Sequence, residues 1–407
     1  MPGESRDREP DRCIVVGASM GGLRAAEAVR KAGFAEQILV IGDEPHMPYN
    51  RPPLSKEALL PAGSPAQAAT STARSLAFRI ARAAQDIDWR LDATVVRADL
   101  AARTVTLVDG ETLSYTGLVI ATGLSPRRLP LPGPRLGRHA IRTVDDVSAL
   151  RAALLSGTRL VVVGAGFIGC EVAAVARGAG LEVDVVAPEG VPIERPLGAA
   201  LGKALQRRHE SHGVRFHLGR LPVRFGGVDR VTSVVLDDGT ELAADVVVEA
   251  IGCVPNTQWL DGTGLDLTDG VLCDNLLRVE GRPDVVACGD LARFPNPLFD
   301  RTPRRVEHWT MVNDTAKRAG SSLGRHLVGA APDPSRFAPI PSFWSDQYDL
   351  RLQSFGAVGL GAGDVRVLEG DLDAEVAVGY HREGHLTGVV LIGLADRYQH
   401  YRALFAD

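Results

Sequence analysis

The chain has 407 residues, and this length predicts two or three domains, because single hydrophobic cores stop growing near roughly 250 residues. Hydrophobic residues make up 45% of it and charged residues 23%, which excludes a disordered or fibrous protein. The 45 Lys and Arg residues against 50 Asp and Glu residues give a net charge of −5, which argues against a nucleic-acid-binding protein that depends on a basic surface.

The beginning of the sequence, residues 1–12, is polar and carries both signs of charge, without the apolar segment of a secretory signal. Further along the chain, no apolar run approaches the roughly 18 residues of a membrane span. We therefore expect a soluble, cytoplasmic protein that interacts with neither membranes nor nucleic acids.

Short apolar runs that end in glycine, aspartate or proline predict buried parallel strands. They lie at residues 13–19, 37–43, 118–123, 160–166, 182–188, 245–252 and 284–290. A segment with helical spacing of small residues follows the first run and another follows the fourth, and each ends at a glycine. These are two βαβ units, 147 positions apart from Gly17 to Gly164, and they predict two nucleotide-binding domains of one architecture.

The sequence changes character after about residue 330. Segments at 364–370, 375–381 and 386–393 are separated by turn residues and alternate between apolar and polar positions. This pattern is typical of an antiparallel sheet with one covered face. We predict a third, smaller α+β domain there.

The first βαβ unit carries a dinucleotide-binding fingerprint at residues 17–22 (GASMGG, the first fingerprint), directly between strand and helix. Gly17 would supply the tight turn and Gly22 the close packing of helix on strand, and the helix N-terminus would hold a pyrophosphate. Ser19 replaces the middle glycine, so its side chain must turn aside or hydrogen-bond a phosphate oxygen. Asp43 or Glu44, after the second strand, would accept from an adenosine ribose hydroxyl. The alternative is a glycine-rich packing turn with a solvated carboxylate.

The second βαβ unit carries the complete fingerprint at residues 164–169 (GAGFIG, the second fingerprint), again between strand and helix. The acidic residue expected near Ala187 is missing, and Glu189 comes two positions late. We favour NADH with Glu189 as a displaced ribose contact. NADPH remains the alternative, with Arg195 as the nearest cation for its 2′-phosphate.

Together with both fingerprints, the segments PYNRPPLSK at 48–56, ATG at 121–123 and CGD at 288–290 resemble one family, the FAD-dependent NAD(P)H:ferredoxin reductases of oxygenase systems. Further similarity lies in RVEHW at 305–309 and FWSDQY at 343–348, and the resemblance runs from about residue 12 to near the C-terminus. It implies that electrons pass from NADH through FAD to a two-iron two-sulfur ferredoxin, which feeds a haem-thiolate monooxygenase or a Rieske oxygenase. In close relatives a rubredoxin is the acceptor.

The resemblance also implies an α/β fold of the glutathione-reductase type, with two Rossmann-like domains and a small α+β C-terminal domain. The predicted limits are 1–125 and 252–330 for a discontinuous FAD-binding domain, 126–251 for the NAD(P)H-binding domain, and 331–407 for the C-terminal domain. The oligomeric state stays open between a monomer and a homodimer.

Three residues have implied catalytic positions: Lys56 near the flavin ring, Glu171 at the nicotinamide end and able to pair with Lys56, and Trp309 beside the flavin. A lysine there would favour negative charge on the reduced ring, and an indole would shield it. The alternatives are a proline-braced surface loop, a glutamate favoured by the helix dipole, and a core tryptophan.

The cofactor-binding residues indicated by the fingerprints and the resemblance are Gly17, Ser19, Gly21, Gly22, Asp43, Glu44, Arg51, Lys56, Val95, Ala121, Thr122, Gly123, Arg127, Gly164, Gly166, Phe167, Ile168, Gly169, Glu189, Gly252, Asp290 and Trp309. Arg51 would help to hold FAD, Val95 and Arg127 would be further FAD contacts, and Asp290 would bind its ribityl or pyrophosphate part.

The five cysteines, Cys13, Cys170, Cys253, Cys273 and Cys288, show neither a CxxC pair nor the spacing of metal ligands. We expect no disulfide framework, no metal site and none of the redox cysteine pairs that disulfide reductases place beside the flavin. Cys170 and Cys253 are interpreted as small buried apolar residues.

Two functional questions stay open. A flavoprotein that acts as a sensor or interaction protein, with slow NADH oxidation, is the alternative to an electron-transfer enzyme. For an acidic ferredoxin we expect a basic docking patch, with Arg301, Arg304 and Arg305 as its candidates.

Overall fold

The computed structural model describes residues 11–59, 65–154 and 158–406, apart from the side chains of residues 65–69. Its contacts divide the chain into two compact units. The first unit contains the residues up to Asn50, Leu76–Leu124 and Pro255–Pro339, and the second contains Arg51–Ser75, Ser125–Val254 and the residues from Ile340 onward. The segment that follows Asn50 thus belongs to the second unit. The domain limits given above stay a prediction.

The helices are, in chain order, α1 (Met20–Lys31), α2 (Pro65–Ser75), α3 (Val144–Ala153), α4 (Phe167–Gly178), α5 (Glu194–Ser211), α6 (Trp309–Leu327) and α7 (Tyr398–Ala403). The strands up to residue 126 are β1 (Arg12–Val16), β2 (Gln37–Ile41), β3 (Asp88–Arg90), β4 (Val95–Asp99), β5 (Thr104–Leu107), β6 (Thr112–Ser114), β7 (Gly117–Ile120) and β8 (Leu124–Pro126).

The strands of the middle of the chain are β9 (Arg138–His139), β10 (Arg159–Val163), β11 (Glu182–Ala187), β12 (Arg215–Leu218), β13 (Pro222–Gly226), β14 (Ser233–Leu236), β15 (Glu241–Ala243), β16 (Val246–Glu249) and β17 (Cys253–Pro255). The remaining strands are β18 (Val271–Leu272), β19 (Arg278–Val279), β20 (Arg282–Ala287), β21 (Ala292–Pro295), β22 (Pro303–Arg304), β23 (Ser342–Gln347), β24 (Leu350–Gly356), β25 (Val365–Gly370), β26 (Val376–Arg382) and β27 (His385–Ile392).

The first unit is built on a six-stranded sheet of order β19-β20-β7-β1-β2-β3. Strands β20, β7, β1, β2 and β3 are parallel, as their continuous apolar runs predict, and β19 is antiparallel. Helix α6 packs so closely on α1 that a Cβ on Gly320 would lie only 2.3 Å from the carbonyl oxygen of Ala25. The small antiparallel sheet β4-β5-β6 belongs to the same unit.

The second unit repeats this arrangement with a parallel sheet of order β12-β11-β10-β16-β9. Its strands β10, β11 and β16 are nearly fully buried, which is why they read as runs of valine. Helix α3 begins with a capping box, in which Thr143 and Asp146 satisfy each other's backbone N–H groups. Helix α5 is kinked at Gly198, whose φ is +75°.

The C-terminal segment forms a five-stranded antiparallel sheet of order β23-β24-β27-β26-β25, followed by α7. Its inner face shares a hydrophobic core with α5, and the hydroxyl of Tyr380 donates to the backbone carbonyl of Leu197 over 2.9 Å. The predicted α/β class, the parallel strands of both βαβ units and the α+β C-terminal domain are confirmed. Among the described residues no helix combines the length and the apolar character needed to cross a membrane.

Candidate functional site: two dinucleotide cradles and a buried ion pair

The first fingerprint forms a tight turn between β1 and α1 in the first unit. Gly17 has a φ of +116°, and a Cβ there would lie 2.2 Å from the carbonyl oxygen of Ala121. A Cβ on Gly22 would lie 1.8 Å from the carbonyl oxygen of Gly17, so both positions require glycine. The side chain of Ser19, at the N-cap, makes no capping hydrogen bond to α1. The turn therefore presents the positive end of α1 at the carboxyl edge of the sheet, which suits a pyrophosphate.

The segment 121–123 lies beside this turn. The backbone N–H of Ala121 donates to Val16, and the Thr122 hydroxyl donates to the carbonyl of Asn256 over 2.6 Å. The side-chain amide of Asn256 in turn donates to the carbonyl of Thr122 over 2.9 Å. Asp290, after β20, is half-buried, and its carbonyl accepts from Arg305. These contacts hold the residues that border the turn of the first fingerprint, which we call the first cradle; the turn of the second fingerprint is called the second cradle.

The two acidic candidates after β2 have different surroundings. The hydroxyl of Tyr49 donates to Glu44 over 2.5 Å, whereas the side chain of Asp43 is exposed. Asp43 is therefore better suited to accept from a ribose hydroxyl.

Trp309 and Val95 also lie in the first unit. Trp309 begins α6 and stacks on Phe78, with ring centroids 6.4 Å apart, and the guanidinium of Arg24 lies over Phe78. The side chain of Val95 is buried in the core, so a cofactor could contact this residue only through its backbone.

The second fingerprint repeats the cradle in the second unit. Gly164 has a φ of +106°, and a Cβ there would lie 2.3 Å from the carbonyl oxygen of Ala250. A Cβ on Gly169 would lie 2.0 Å from the carbonyl oxygen of Gly164. In contrast, a Cβ on Gly166 would meet no described atom within 4 Å. Open space at the middle glycine is what the close approach of a pyrophosphate requires, so the residues fit a dinucleotide.

Phe167 and Ile168 follow Gly166 in the first turn of α4. Phe167 packs edge-on against Phe343, with ring centroids 4.8 Å apart, and Ile168 is exposed. At the end of β11, the carboxylate of Glu189 lies 3.4 Å from the guanidinium of Arg195, which is mostly exposed. The predicted ribose contact and the predicted phosphate contact therefore form one ion pair.

Lys56 and Glu171 form a buried ion pair in the second unit. Nζ of Lys56 lies 2.8 Å from Oε2 of Glu171, and only 3% of the glutamate side chain is exposed. Glu171 is the fifth residue of α4, just beyond its first turn, and Lys56 follows the 3-10 turn Pro52–Ser55, whose prolines fix the backbone.

Two serines complete the environment of Glu171. Oγ of Ser55 donates to Oε2 over 2.5 Å, and Oγ of Ser345 on β23 donates to Oε1 over 2.6 Å. Sequence reasoning missed both serines. The signal for Ser345 is the alternation of β23, which turns Phe343, Ser345 and Gln347 inward together.

The remaining candidates, Arg51, Arg127 and Gly252, all lie in the second unit. Arg51 lies in the second unit and donates to the carbonyl of Arg142 over 2.7 Å. In the same unit the backbone N–H of Arg127 donates to Gly252 over 2.9 Å, and both residues are exposed. Arg51, Lys56 and Arg127 therefore belong to the same compact unit as the second fingerprint.

All five cysteines lie in the described ranges, and none of them forms a disulfide. Burial raises the pKa values of Cys13 and Cys288 to about 12, and it also raises those of Cys170 and Cys273. Cys170 is buried, as expected, whereas Cys253 is half-buried. A thiol with a raised pKa is a poor nucleophile, so none of these four groups supports disulfide chemistry.

Two dinucleotide cradles without a redox cysteine pair define a class of protein, the nicotinamide-dependent flavoprotein reductases. Residues 11–316 match the family model of the pyridine nucleotide-disulphide oxidoreductases, and residues 342–407 match the model described as reductase C-terminal. The chain belongs to the pyridine nucleotide-disulphide oxidoreductase family and is an enzyme that uses FAD and NAD(H).

The chain is 36% identical over 368 residues to rhodocoxin reductase of Rhodococcus erythropolis, covering 89% of this chain and 82% of that protein. It is 37% identical over 362 residues to the ferredoxin–NAD(+) reductase component of the anthranilate 1,2-dioxygenase system of Burkholderia cepacia, covering 89% and 85%. The structure of the covalent putidaredoxin reductase–putidaredoxin complex superposes with a TM-score of 0.85 at 30% identity, covering 97% of this chain and 93% of that chain. The resemblance recognised in the sequence is confirmed.

Proposed function

We propose that this protein is an FAD-containing ferredoxin reductase that takes electrons from NADH and passes them to a two-iron two-sulfur ferredoxin of an oxygenase system. The observation that carries the proposal is the pair of dinucleotide cradles in a chain whose five cysteines, all within the described residues, form no disulfide. Electrons that enter from NADH then have no disulfide acceptor among the described residues, so we expect them to leave to an external acceptor. The names of the relatives support a ferredoxin as that partner.

FAD, when bound, would supply the chemistry that links two-electron hydride transfer from NADH to one-electron transfer to ferredoxin. In the second cradle, the open face of Gly166 and the N-terminus of α4 would bind the pyrophosphate of NADH. Glu189 would accept from the adenosine ribose, and Glu171 with Lys56 would orient the nicotinamide end. In the first cradle, the N-terminus of α1 and Asp43 would bind FAD in the corresponding way.

NADH is favoured over NADPH by the charge at the end of β11. Glu189 would repel a 2′-phosphate, and its ion pair with Arg195 engages the cation that such a phosphate would need.

The docking surface for ferredoxin is not a simple arginine cluster. Arg304 pairs with Asp300, and Arg305 pairs with Asp269 and Glu307. Carboxylates therefore neutralise two of the three arginines considered from the sequence. A basic docking patch would therefore need other cations besides Arg301.

The test is anaerobic reduction of the purified yellow protein by NADH and by NADPH, followed by steady-state reduction of a two-iron two-sulfur ferredoxin. We expect rapid bleaching with NADH, a lower kcat/KM with NADPH, and turnover with ferredoxin. Slow reduction without ferredoxin turnover would instead favour the sensor or interaction protein, and turnover with rubredoxin alone would favour a rubredoxin reductase. The same proposal includes a cytoplasmic location and a monomeric or homodimeric state. Analytical ultracentrifugation tests the oligomeric state.

A further inference from the structure

A row of buried polar side chains leads away from Glu171 through the second unit. Beyond Ser345, whose hydroxyl donates to Glu171, the amide Nε2 of Gln347 lies 3.0 Å from the Ser345 oxygen. Nε2 of His209, on α5, lies 2.8 Å from Oε1 of Gln347, and the hydroxyl of Tyr348 lies 3.4 Å from Nδ1 of His209. Ser345, Gln347 and His209 are each at most 2% exposed. Burying polar side chains costs free energy unless they are hydrogen-bonded, so a connected row of them in the core needs a physical explanation.

The direction of every hydrogen bond in this row follows from Glu171. An ionised carboxylate only accepts, so Ser345 must donate its hydroxyl proton to Oε1. The Ser345 oxygen then accepts from the Gln347 amide, which leaves the Gln347 carbonyl oxygen to accept from Nε2–H of His209. This assigns His209 the Nε2–H tautomer, with a bare Nδ1 that accepts from Tyr348.

The charge states agree with this direction. Burial lowers the pKa of His209, although its hydrogen bond to Gln347 opposes the shift, and the charge of His212 adds to the lowering. Burial raises the pKa of Tyr348 to about 12, although the cation Arg177 opposes it. His212 stacks on Tyr348, with ring centroids 3.8 Å apart, at the outer end of the row. A neutral imidazole and a neutral phenol are the forms that a one-way chain of donors requires.

We propose that Ser345, Gln347 and His209 are positioning residues, a donor chain that fixes Oε1 of Glu171 so that the carboxylate is held toward Lys56 and the nicotinamide end of NADH. This inference rests on the proposed function. Three donors, Ser55, Lys56 and Ser345, occupy the carboxylate, which offers roughly four acceptor sites, so one remains for an N–H donor of the ligand. Because the amide of Gln347 does not exchange protons as a hydroxyl or imidazole does, the chain orients the carboxylate and does not conduct protons.

The first test is the tautomer of His209, read by ¹⁵N NMR of the FAD-loaded protein labelled at histidine, with His209→Asn to assign the signal. We expect His209 to be entirely the neutral Nε2–H tautomer at neutral pH in the wild type. In Gln347→Leu we expect a mixture of the two neutral tautomers. A protonated His209, or the Nδ1–H tautomer, in the wild type would overturn the donor chain.

The second test is stopped-flow reduction by NADH of Ser345→Ala beside Ser354→Ala. Ser354 is a matched control, because it is fully buried on the neighbouring strand β24 and its hydroxyl has no hydrogen-bond partner among the described residues. We expect Ser345→Ala to lower the limiting rate constant of flavin reduction roughly tenfold, with a much smaller change in the dissociation constant of NADH. Ser354→Ala should leave both values near those of the wild type.

Equal rate constants in the two folded variants would overturn the positioning role. If NADH fails to reduce the wild type, the proposed function is wrong, and the tautomer of His209 still decides whether the donor chain exists. The two failures are therefore distinguishable.

Discussion

Nζ of Lys56 and Oε2 of Glu171 lie 2.8 Å apart, although 115 positions separate them in the chain, and their side chains are only 13% and 3% exposed. Removing one partner of a buried ion pair leaves an uncompensated charge, which costs roughly 3 kcal/mol or more. This geometry makes the pair a sensitive point for mutation.

Lys56→Ala should therefore retain FAD but lower the free energy of unfolding and slow hydride transfer from NADH or increase electron leakage to oxygen. Stopped-flow reduction and oxygen consumption measure the two kinetic effects. Lys203→Ala, which removes an exposed lysine from α5 in the same unit, is the control. Unchanged reduction kinetics in Lys56→Ala would contradict a role for this lysine at the flavin.

Gly166→Ala should separate cofactor binding from folding. The position is open and its φ of −75° is ordinary, so alanine creates no clash with the described protein atoms. A pyrophosphate at the N-terminus of α4 would meet the new methyl group, and we expect KM for NADH to rise roughly tenfold or more while Tm and FAD content stay unchanged. Gly178→Ala, at the open far end of the same helix, should change none of these values. An unaltered KM in Gly166→Ala would mean that NADH does not bind over this turn.

Glu189→Ala should move the coenzyme preference toward NADPH. The substitution removes the proposed ribose acceptor and releases Arg195 from its ion pair. Because a hydrogen bond to a charged group contributes about 1.5 kcal/mol or more, the ratio of kcat/KM for NADH to that for NADPH should fall at least about tenfold. Glu182→Ala, at the opposite end of β11, is the matched control. The same ratio in both variants would rule out Glu189 as the determinant.

His308 should make the protein sensitive to acid. Burial lowers its pKa from 6.5 to about 4, so between these pH values the unfolded chain binds a proton that the folded chain does not. The free energy of unfolding is then largest above about pH 6.5 and falls as the pH decreases toward 4, by roughly 3 kcal/mol from this group.

Urea unfolding at several pH values measures that slope. His308→Asn should flatten this slope. His308 is the N-cap of α6, and His326 is an exposed histidine in the last turn of that helix, so His326→Asn is the control and should leave the slope unchanged. A wild-type slope in His308→Asn would show that other groups govern the acid sensitivity.

The sequence predicts those features that depend on local patterns. The runs of valine in β10, β11 and β16 and the glycines of both fingerprints predict parallel strands and dinucleotide turns, because burial and positive φ act on single residues. The pairing of Glu171 with Lys56 follows only from the family resemblance. The role of Ser345 could not be predicted, since 174 positions separate it from Glu171 and no local pattern records such a contact.

The ion pairs of Arg305 could not be predicted from the sequence either. Arg305 reads as a surface cation in the sequence, yet the fold places Asp269 and Glu307 against its guanidinium. Asp269 is 36 positions away. It precedes β18, which pairs with β21, and β21 pairs in turn with β22, which ends just before Arg305.

Glu171 lies in the stretch Ser125–Val254, and Ser55, Lys56 and Ser345, which contact it, come from Arg51–Ser75 and from the residues from Ile340 onward. These three stretches together make the second unit. The proposed NADH-binding domain therefore cannot be exchanged on its own. A chimera that replaces only residues 125–254 by those of a homologue would separate position 171 from the lysine and the two serines that contact it. Recombination within this family should therefore succeed most often when all three stretches come from the same parent.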